Sequence, residues 1–185
     1  MKKGLVAFVF ATVLVGMFSF TSSVAQSVYT VDATKSKIDW AGAAGDHYHV
    51  GTMAVKAGTV SVENGKIAGG KFTLDLTTIK SDAGEKLDGH LKSPDFFDAS
   101  KLGVATFEIK SVKYTGDKTA DIDGALTLKG ITANVKFSAK VRGLDDKKLF
   151  AEASLSLDRT IWGIVYGPGM LANDITVNVH LFGTK

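Results

Sequence analysis

ITANVKFSAKVR, residues 131–142, alternates apolar and polar side chains over its whole length. Successive side chains of an extended strand point to opposite faces, so this period of two predicts a long strand with one buried face. The same alternation recurs in residues 71–76, 104–112, 121–128, 149–158 and 175–181. Shorter strand candidates lie at 37–41, 50–55 and 58–63. Most of the chain is therefore predicted to be β-strand.

Short turn sequences separate these strands. Residues 63–66 read Glu-Asn-Gly-Lys, which is a strong signal for a two-residue hairpin, and Lys129-Gly130 joins two strands as tightly. Polar turns follow at 115–118 and 144–147. Short connections between alternating strands imply an antiparallel meander. Closing such a meander removes its exposed edges, so we predict an all-β, roughly eight-stranded antiparallel barrel.

Two stretches interrupt the strand pattern. In residues 81–100, Leu87 and Leu91 stand four apart, which favours a short helix. The adjacent Phe96 and Phe97 either plug an end of the barrel or line a lipid tunnel, because core and cavity walls have the same composition. The second stretch is irregular and covers residues 160–172, and its bulky members are Trp162, Tyr166 and Met170.

The N-terminal 25 residues have the composition of a secretory signal peptide. Lys2 and Lys3 precede an apolar run from Leu5 to Phe20, and Ser23-Val24-Ala25 gives the small-x-small pattern of a cleavage site. A membrane anchor is the less favoured interpretation, because the run is near the lower length limit for spanning. We therefore expect cleavage after Ala25 and one mature domain covering residues 26–185.

Composition excludes several kinds of chemistry. The chain has no cysteine, which rules out disulfides, thiolate metal sites and cysteine nucleophiles. Without the leader, 20 basic residues stand against 19 acidic ones, and no basic patch suggests nucleic-acid binding. No cofactor is predicted.

A few polar side chains are candidates for chemistry. His47 and His49 share a strand face, but no third ligand has readable spacing, so no metal site is predicted. Asp88 and His90 lie in the helical stretch, yet the chain has no Gly-x-Ser-x-Gly elbow. Arg159 either meets a ligand head group at the barrel mouth or pairs with a nearby acid or a helix C-terminus.

Several motifs together resemble the YceI-like family, a group of bacterial exported, lipocalin-like proteins that bind polyisoprenoids or similar long-chain lipids. The motifs are LDGHLKSPDFFD at 87–98, ATF at 105–107, GALTLKGIT at 124–132, and Arg159 followed by WGI at 162–164. The resemblance covers nearly all of residues 26–185 in order. It implies an extended lipocalin-like barrel with a short helix closing one end and no catalytic group.

The leading hypothesis is an exported carrier or sequestering protein for a polyisoprenoid, an isoprenoid quinone or a fatty-acid-like lipid. Strand alternation predicts a ligand-binding wall of Trp40, Phe72, Leu74, Phe107, Ile109, Leu126, Phe137 and Leu155. The predicted helix and loop cover consists of Leu91, Phe96, Phe97, Trp162, Tyr166 and Met170. His90 and Arg159 are the candidates for head-group contact.

Two alternatives stay open at this point. One is a lipid-modifying or hydrolytic enzyme that uses His90 with Asp88, and the other is a ligand-free barrel that acts as an interaction module. The expected partner is a long-chain lipid, with a transient membrane or donor–acceptor contact and a monomeric or homodimeric state. A periplasmic location is expected, with full secretion as the other outcome of export.

Overall fold

The computed structural model of the protein describes residues 26–185, and the predicted signal peptide lies outside the described residues. This part of the chain forms nine strands, one α-helix and one 3₁₀ helix. The strands are β1 (Gln26–Val31), β2 (Lys37–Ala44), β3 (His47–Glu63), β4 (Lys66–Ser81), β5 (Val104–Tyr114), β6 (Thr119–Leu128), β7 (Ile131–Leu144), β8 (Lys148–Asp158) and β9 (Leu171–Thr184). The helices are α1 (Glu85–Lys92) and the 3₁₀ helix Arg159–Trp162.

The strands close into an antiparallel barrel with eight positions. Each strand from β2 to β9 pairs with the next along the chain, and β9 pairs with β2 to close the circle. β1 and β2 occupy one position in succession, because β1 lies beside the end of β3 and β2 beside its beginning. The predicted all-β, eight-stranded lipocalin-like barrel with one short helix is confirmed.

Two hairpins show why the turn sequences were informative. Asn64 and Gly65 have φ angles of 51° and 73°, and Lys129 and Gly130 have 50° and 77°. Positive φ at both central residues defines a turn whose twist matches that of the flanking strands, and Asn and Gly adopt it most readily. These turns fix the register of β3 with β4 and of β6 with β7.

The structure differs from the strand predictions at β3. The predicted strands at 50–55 and 58–63 form one strand, which pairs with β4 through irregularities between Thr52 and Ala54 and between Val55 and Ala57. Such bulges interrupt the period of two while the backbone stays extended, which made one bent strand resemble two. β1 was not predicted, because the apolar Val28 lies at an exposed position and obscures the alternation of Tyr29 and Val31.

The two ends of the barrel differ. We call the end that carries the connections 44–47, 81–104, 128–131 and 158–171 the cover end, and the end that carries 63–66, 114–119 and 144–148 the base. One core cluster fills the base. The hydroxyl of Tyr29 donates to the Asp145 carbonyl at 2.6 Å across it. That cluster consists of Tyr29, Val60, Val62, Ile67, Val141, Leu149 and Ala151.

Neither helix within residues 26–185 has the length and hydropathy needed to span a membrane.

Candidate functional site

A cavity of about 280 Å³ lies inside the barrel, and strands β2 to β9 all contribute to its wall. The period of two explains this wall, since every second side chain of each strand points inward. On β9, for example, Ile175, Val177, Val179 and Leu181 face the cavity in turn. Only Glu152 and Arg159 among the lining residues are charged. The carboxylate of Glu152 accepts from Nε of Arg142 at 2.7 Å, and the Arg159 guanidinium bonds to the main chain.

Twelve of the fourteen side chains predicted to bind a ligand lie on this wall. They are Trp40, Phe72, Leu74, Leu91, Phe96, Phe97, Phe107, Ile109, Leu126, Phe137, Leu155 and Trp162. The other two, Tyr166 and Met170, do not line the cavity; they are 42% and 64% exposed on the outer side of the cover. Ligand contact by any of these residues stays a prediction.

Sequence reasoning missed part of the wall. The missed residues include Ile38, Met53, Leu76, Ile79, Ile122, Ile164 and the four inward residues of β9. The β9 set could have been found, because residues 175–181 show the clearest alternation after β7. Met53 and Ile79 could not, because each lies beside an irregular part of the pairing of β3 with β4.

Three aromatic rings of the cavity wall lie side by side. The rings of Phe72 and Phe107 stack with centroids 6.2 Å apart, and the Phe107 and Phe137 centroids are 5.7 Å apart. Gly124 leaves the space that the Phe107 ring occupies, since a methyl group there would lie 2.5 Å from Cε2 of that ring. The width of the cavity at this level therefore depends on the rotamers of these rings.

α1 is fastened over the cover end by a buried carboxylate. Asp88 is 5% exposed and accepts hydrogen bonds from the Ser81 amide at 2.6 Å and the Ser81 hydroxyl at 2.7 Å. The Lys80 ammonium lies 3.1 Å from its other oxygen. The Ser81 hydroxyl, followed by the Lys80 ammonium, holds the pKa of Asp88 below its usual range against the opposing effect of burial. Asp88 therefore anchors the helix to the end of β4.

Arg159 fastens the second part of the cover. Its guanidinium is buried and donates to the main-chain carbonyls of Ile164 at 2.6 Å, Ala172 at 2.9 Å and Leu171 at 3.3 Å. None of the described carboxylates forms an ion pair with it, so the predicted pairing with a nearby acid is not what the structure shows. Arg159 ties together the two ends of the loop 163–171, and its contact with a ligand head group stays a prediction.

His90 lies between the two parts of the cover. Its ring packs edge-on against Phe96 at 5.0 Å and against Tyr166 at 4.6 Å between centroids, and Nε2 lies 3.2 Å from a carboxylate oxygen of Asp95. The Asp88 carboxylate bonds to Ser81 and Lys80 instead. The structure therefore does not join His90 and Asp88 into the pair that the enzyme alternative needs.

The two histidines of β3 point to separate carboxylates. His47 lies 3.2 Å from Asp46, and His49 lies 3.2 Å from Asp82. Within residues 26–185, no group of three or more histidine, aspartate or glutamate side chains is placed to hold a metal ion.

A closed barrel with an apolar interior and a fastened cover defines the class of lipocalin-like barrels, whose geometry supports binding of an apolar ligand. The YceI-like domain model matches residues 29–182, so the chain belongs to the YceI-like family. An UPF0312 protein of Pseudomonas fluorescens (strain SBW25) is 31% identical over 195 aligned positions, which cover 100% of this chain and 98% of the relative. An UPF0312 protein of Pseudomonas putida (strain F1) is 34% identical over 142 residues, or 73% of each chain.

Two solved structures share the fold. BcnA of Burkholderia cenocepacia superposes with a TM-score of 0.67 at 21% identity, covering 82% of this chain and 98% of BcnA. A polyisoprenoid binding domain from Saccharophagus degradans, implicated in plant cell wall breakdown, gives a TM-score of 0.65 at 15% identity, covering 84% of this chain and 97% of that domain. At these identities the likeness shows the fold.

Proposed function

We propose that the protein binds the apolar chain of a long-chain lipid inside the barrel and carries or sequesters it outside the cytoplasm. The observation that carries this proposal is the cavity of about 280 Å³, whose wall is built from apolar side chains of eight strands. An apolar cavity of this kind stays dry and gains affinity by removing hydrocarbon from water. A fully packed interior, which the interaction-module alternative requires, would leave no such space.

The size of the cavity limits the length of the lipid chain that it can hold. At about 30 Å³ for each group the size of a water molecule, the cavity volume of about 280 Å³ corresponds to on the order of nine methylene groups. Burying them contributes about 7 kcal/mol, which is comparable to the cost of association. Tight retention therefore needs either a longer lipid chain or a contact made by the lipid head group. A longer lipid chain requires the rings of Phe72, Phe107 and Phe137 or the cover to move.

The ligand class that we favour is a polyisoprenoid, an isoprenoid quinone or a fatty-acid-like lipid. Family membership supports it, as does the name of the Saccharophagus degradans domain. His90 and Arg159 are the residues that we propose for head-group contact, since both lie at the cover end. The composition of residues 1–25 supports export, and we propose a periplasmic location with secretion as the other possibility.

Native mass spectrometry of the protein, purified without detergent, tests the proposal directly. We expect a stoichiometric long-chain lipid that is released on extraction and identified by its mass. Phe107→Asp should abolish lipid retention, because it places a charge at the centre of the apolar wall. Thr106→Asp is the matched control, because Thr106 is the exposed neighbour on the outer face of β5.

Two results would contradict the proposal. One is a bare protein that also fails to take up added isoprenoids and fatty acids, which would favour the interaction module. The other is unchanged lipid content in a folded Phe107→Asp variant, which would place the ligand elsewhere. An ester or isoprenoid-phosphate substrate that is turned over by the protein, but not by a folded His90→Ala variant, would favour the enzyme alternative.

A further inference from the structure

The exposed large apolar side chains of the described chain are concentrated at one end of the barrel. Nine of ten lie on connections or strand ends at the cover end, namely Tyr48, Val50, Leu102, Val104, Ile131, Ile161, Val165, Tyr166 and Met170. Only Val28, on β1, lies away from it. Single exposed apolar residues are normal on a protein surface, but a concentration of them marks an interaction site.

Five of these side chains lie in or next to the loop that follows the 3₁₀ helix, and we call Ile131, Ile161, Val165, Tyr166 and Met170 the outer cover surface. The loop touches three neighbouring elements. Its Met170 carbonyl accepts from the amide of Gly45 in the β2–β3 connection at 2.8 Å. Tyr166 packs against His90 of α1, and Cδ1 of Ile131 would lie 3.5 Å from a methyl group at Gly163.

The outer cover surface has two properties that limit what it can bind. Residues 160–172, which supply four of its five side chains, contain no charged residue. The loop also lies over the end that is closed by separate parts fastened at Asp88 and Arg159, whereas the base is closed by a packed core. The outer cover surface therefore lies on the end of the barrel whose closure depends on two separately anchored parts.

We infer that the outer cover surface docks on a lipid bilayer, so that the apolar ligand moves between bilayer and cavity without crossing water. This inference rests on the proposed function. A bilayer fits better than a protein partner, because the surface lies on the cover of an apolar cavity and the ligand class that we propose for this cavity is dissolved in bilayers. Since residues 160–172 carry no charge, apolar insertion drives the docking and anionic lipid is not required.

Flotation with phosphatidylcholine vesicles tests the docking. We expect the purified exported protein, residues 26–185, to float with neutral vesicles to the same extent at low and high salt. Salt screening weakens only charge-driven binding. The variant Ile161→Asp, Val165→Asp should lower the floated fraction by about fivefold or more, since a charge at these sites opposes insertion. Val28→Asp is the matched control, because Val28 and Ile161 are both 52% exposed and Val28 lies on β1.

Lipid content and sedimentation separate the other outcomes. The Ile161→Asp, Val165→Asp variant should keep its purified lipid in native mass spectra and its thermal unfolding midpoint while losing flotation. If neither the natural protein nor the variant carries a bound lipid, that result contradicts the proposed function and not the docking. Equal flotation of the variant, flotation that requires anionic lipid, or a dimer that the variant converts to a monomer would each overturn the inference.

Discussion

The ring of Phe107 fills the space where a side chain at Gly124 would be. The two residues lie on neighbouring strands, and a methyl group at Gly124 would lie 2.5 Å from Cε2 of Phe107 and 2.8 Å from the Glu108 carbonyl oxygen. Phe107 also contacts the rings of Phe72 and Phe137. The bare α-carbon of Gly124 thus decides where an aromatic group of the cavity wall can lie.

Gly124→Ala should therefore change both stability and ligand capacity. We expect the free energy of unfolding to fall by about 1–3 kcal/mol, because the new methyl group forces the Phe107 ring and the Glu108 backbone to shift. The displaced ring should also reduce the amount of lipid that copurifies. Urea unfolding and native mass spectrometry measure the two effects. Gly116→Ala is the control, since nothing lies within 4 Å of a methyl group there, and equal stability of both variants would contradict this prediction.

The only two tryptophans of the chain should report ligand binding. Trp40 and Trp162 both line the cavity, and the Trp162 ring N–H donates to the Leu126 carbonyl at 3.1 Å. We expect the intrinsic fluorescence of the delipidated protein to change when a long-chain isoprenoid alcohol is added. Trp40→Phe should retain the part of the change that comes from Trp162. Binding detected by mass spectrometry without any change in fluorescence would place the ligand outside this cavity.

Arg159→Leu should destabilise the protein more than it affects ligand identity. Three main-chain carbonyls, of Ile164, Leu171 and Ala172, would lose their donor, and the bond to Ile164 is buried whereas the other two are partly buried. An unsatisfied buried group costs about 1–3 kcal/mol, so we expect a loss of at least about 1 kcal/mol in urea unfolding. Arg159→Lys should recover part of it, because an ammonium cannot span all three carbonyls. Unchanged stability of Arg159→Leu would contradict this structural role, and loss of lipid from a stable variant would support the proposed head-group contact.

Asp88→Asn should make unfolding less dependent on pH. The Ser81 hydroxyl, followed by the Lys80 ammonium, lowers the pKa of Asp88 in the folded protein below the ordinary value of 3.8. Because the pKa of Asp88 is lower in the folded protein, its ionised carboxylate stabilises the fold at pH values above its pKa in the unfolded protein. That stabilisation is lost as the pH falls through the pKa in the folded protein. Asp88→Asn should therefore be less stable than the natural protein at neutral pH, and the difference should shrink below about pH 4.

Urea unfolding at several pH values measures the effect of Asp88→Asn. Asp117→Asn provides the control, because Asp117 lies exposed in the β5–β6 turn and forms no ion pair with the residues that the structure describes. A difference between Asp88→Asn and the natural protein that stays constant from neutral to acidic pH would show that the anchor does not depend on the ionised carboxylate.

The cover shows where sequence reasoning stops. The four-residue spacing of Leu87 and Leu91 predicted α1, and the inward position of Leu91 followed. Tyr166 and Met170 were predicted as ligand-binding residues of the loop cover, and both lie outside the cavity. A loop has no fixed period, so nothing in residues 160–172 indicates which side chains point outward.

The sequence by itself determined most of the strands, the tight turns at 63–66 and 128–131, and part of the inward wall. It could do so because the alternation of a strand and the φ preferences of Asn and Gly are local properties. Only the tertiary structure decided that the interior holds a cavity, that Arg159 bonds to carbonyls, and that the apolar residues of the loop face outward. These features depend on distances between residues that are far apart in sequence. The cavity in particular cannot be read from composition, because a packed core and an apolar cavity use the same side chains.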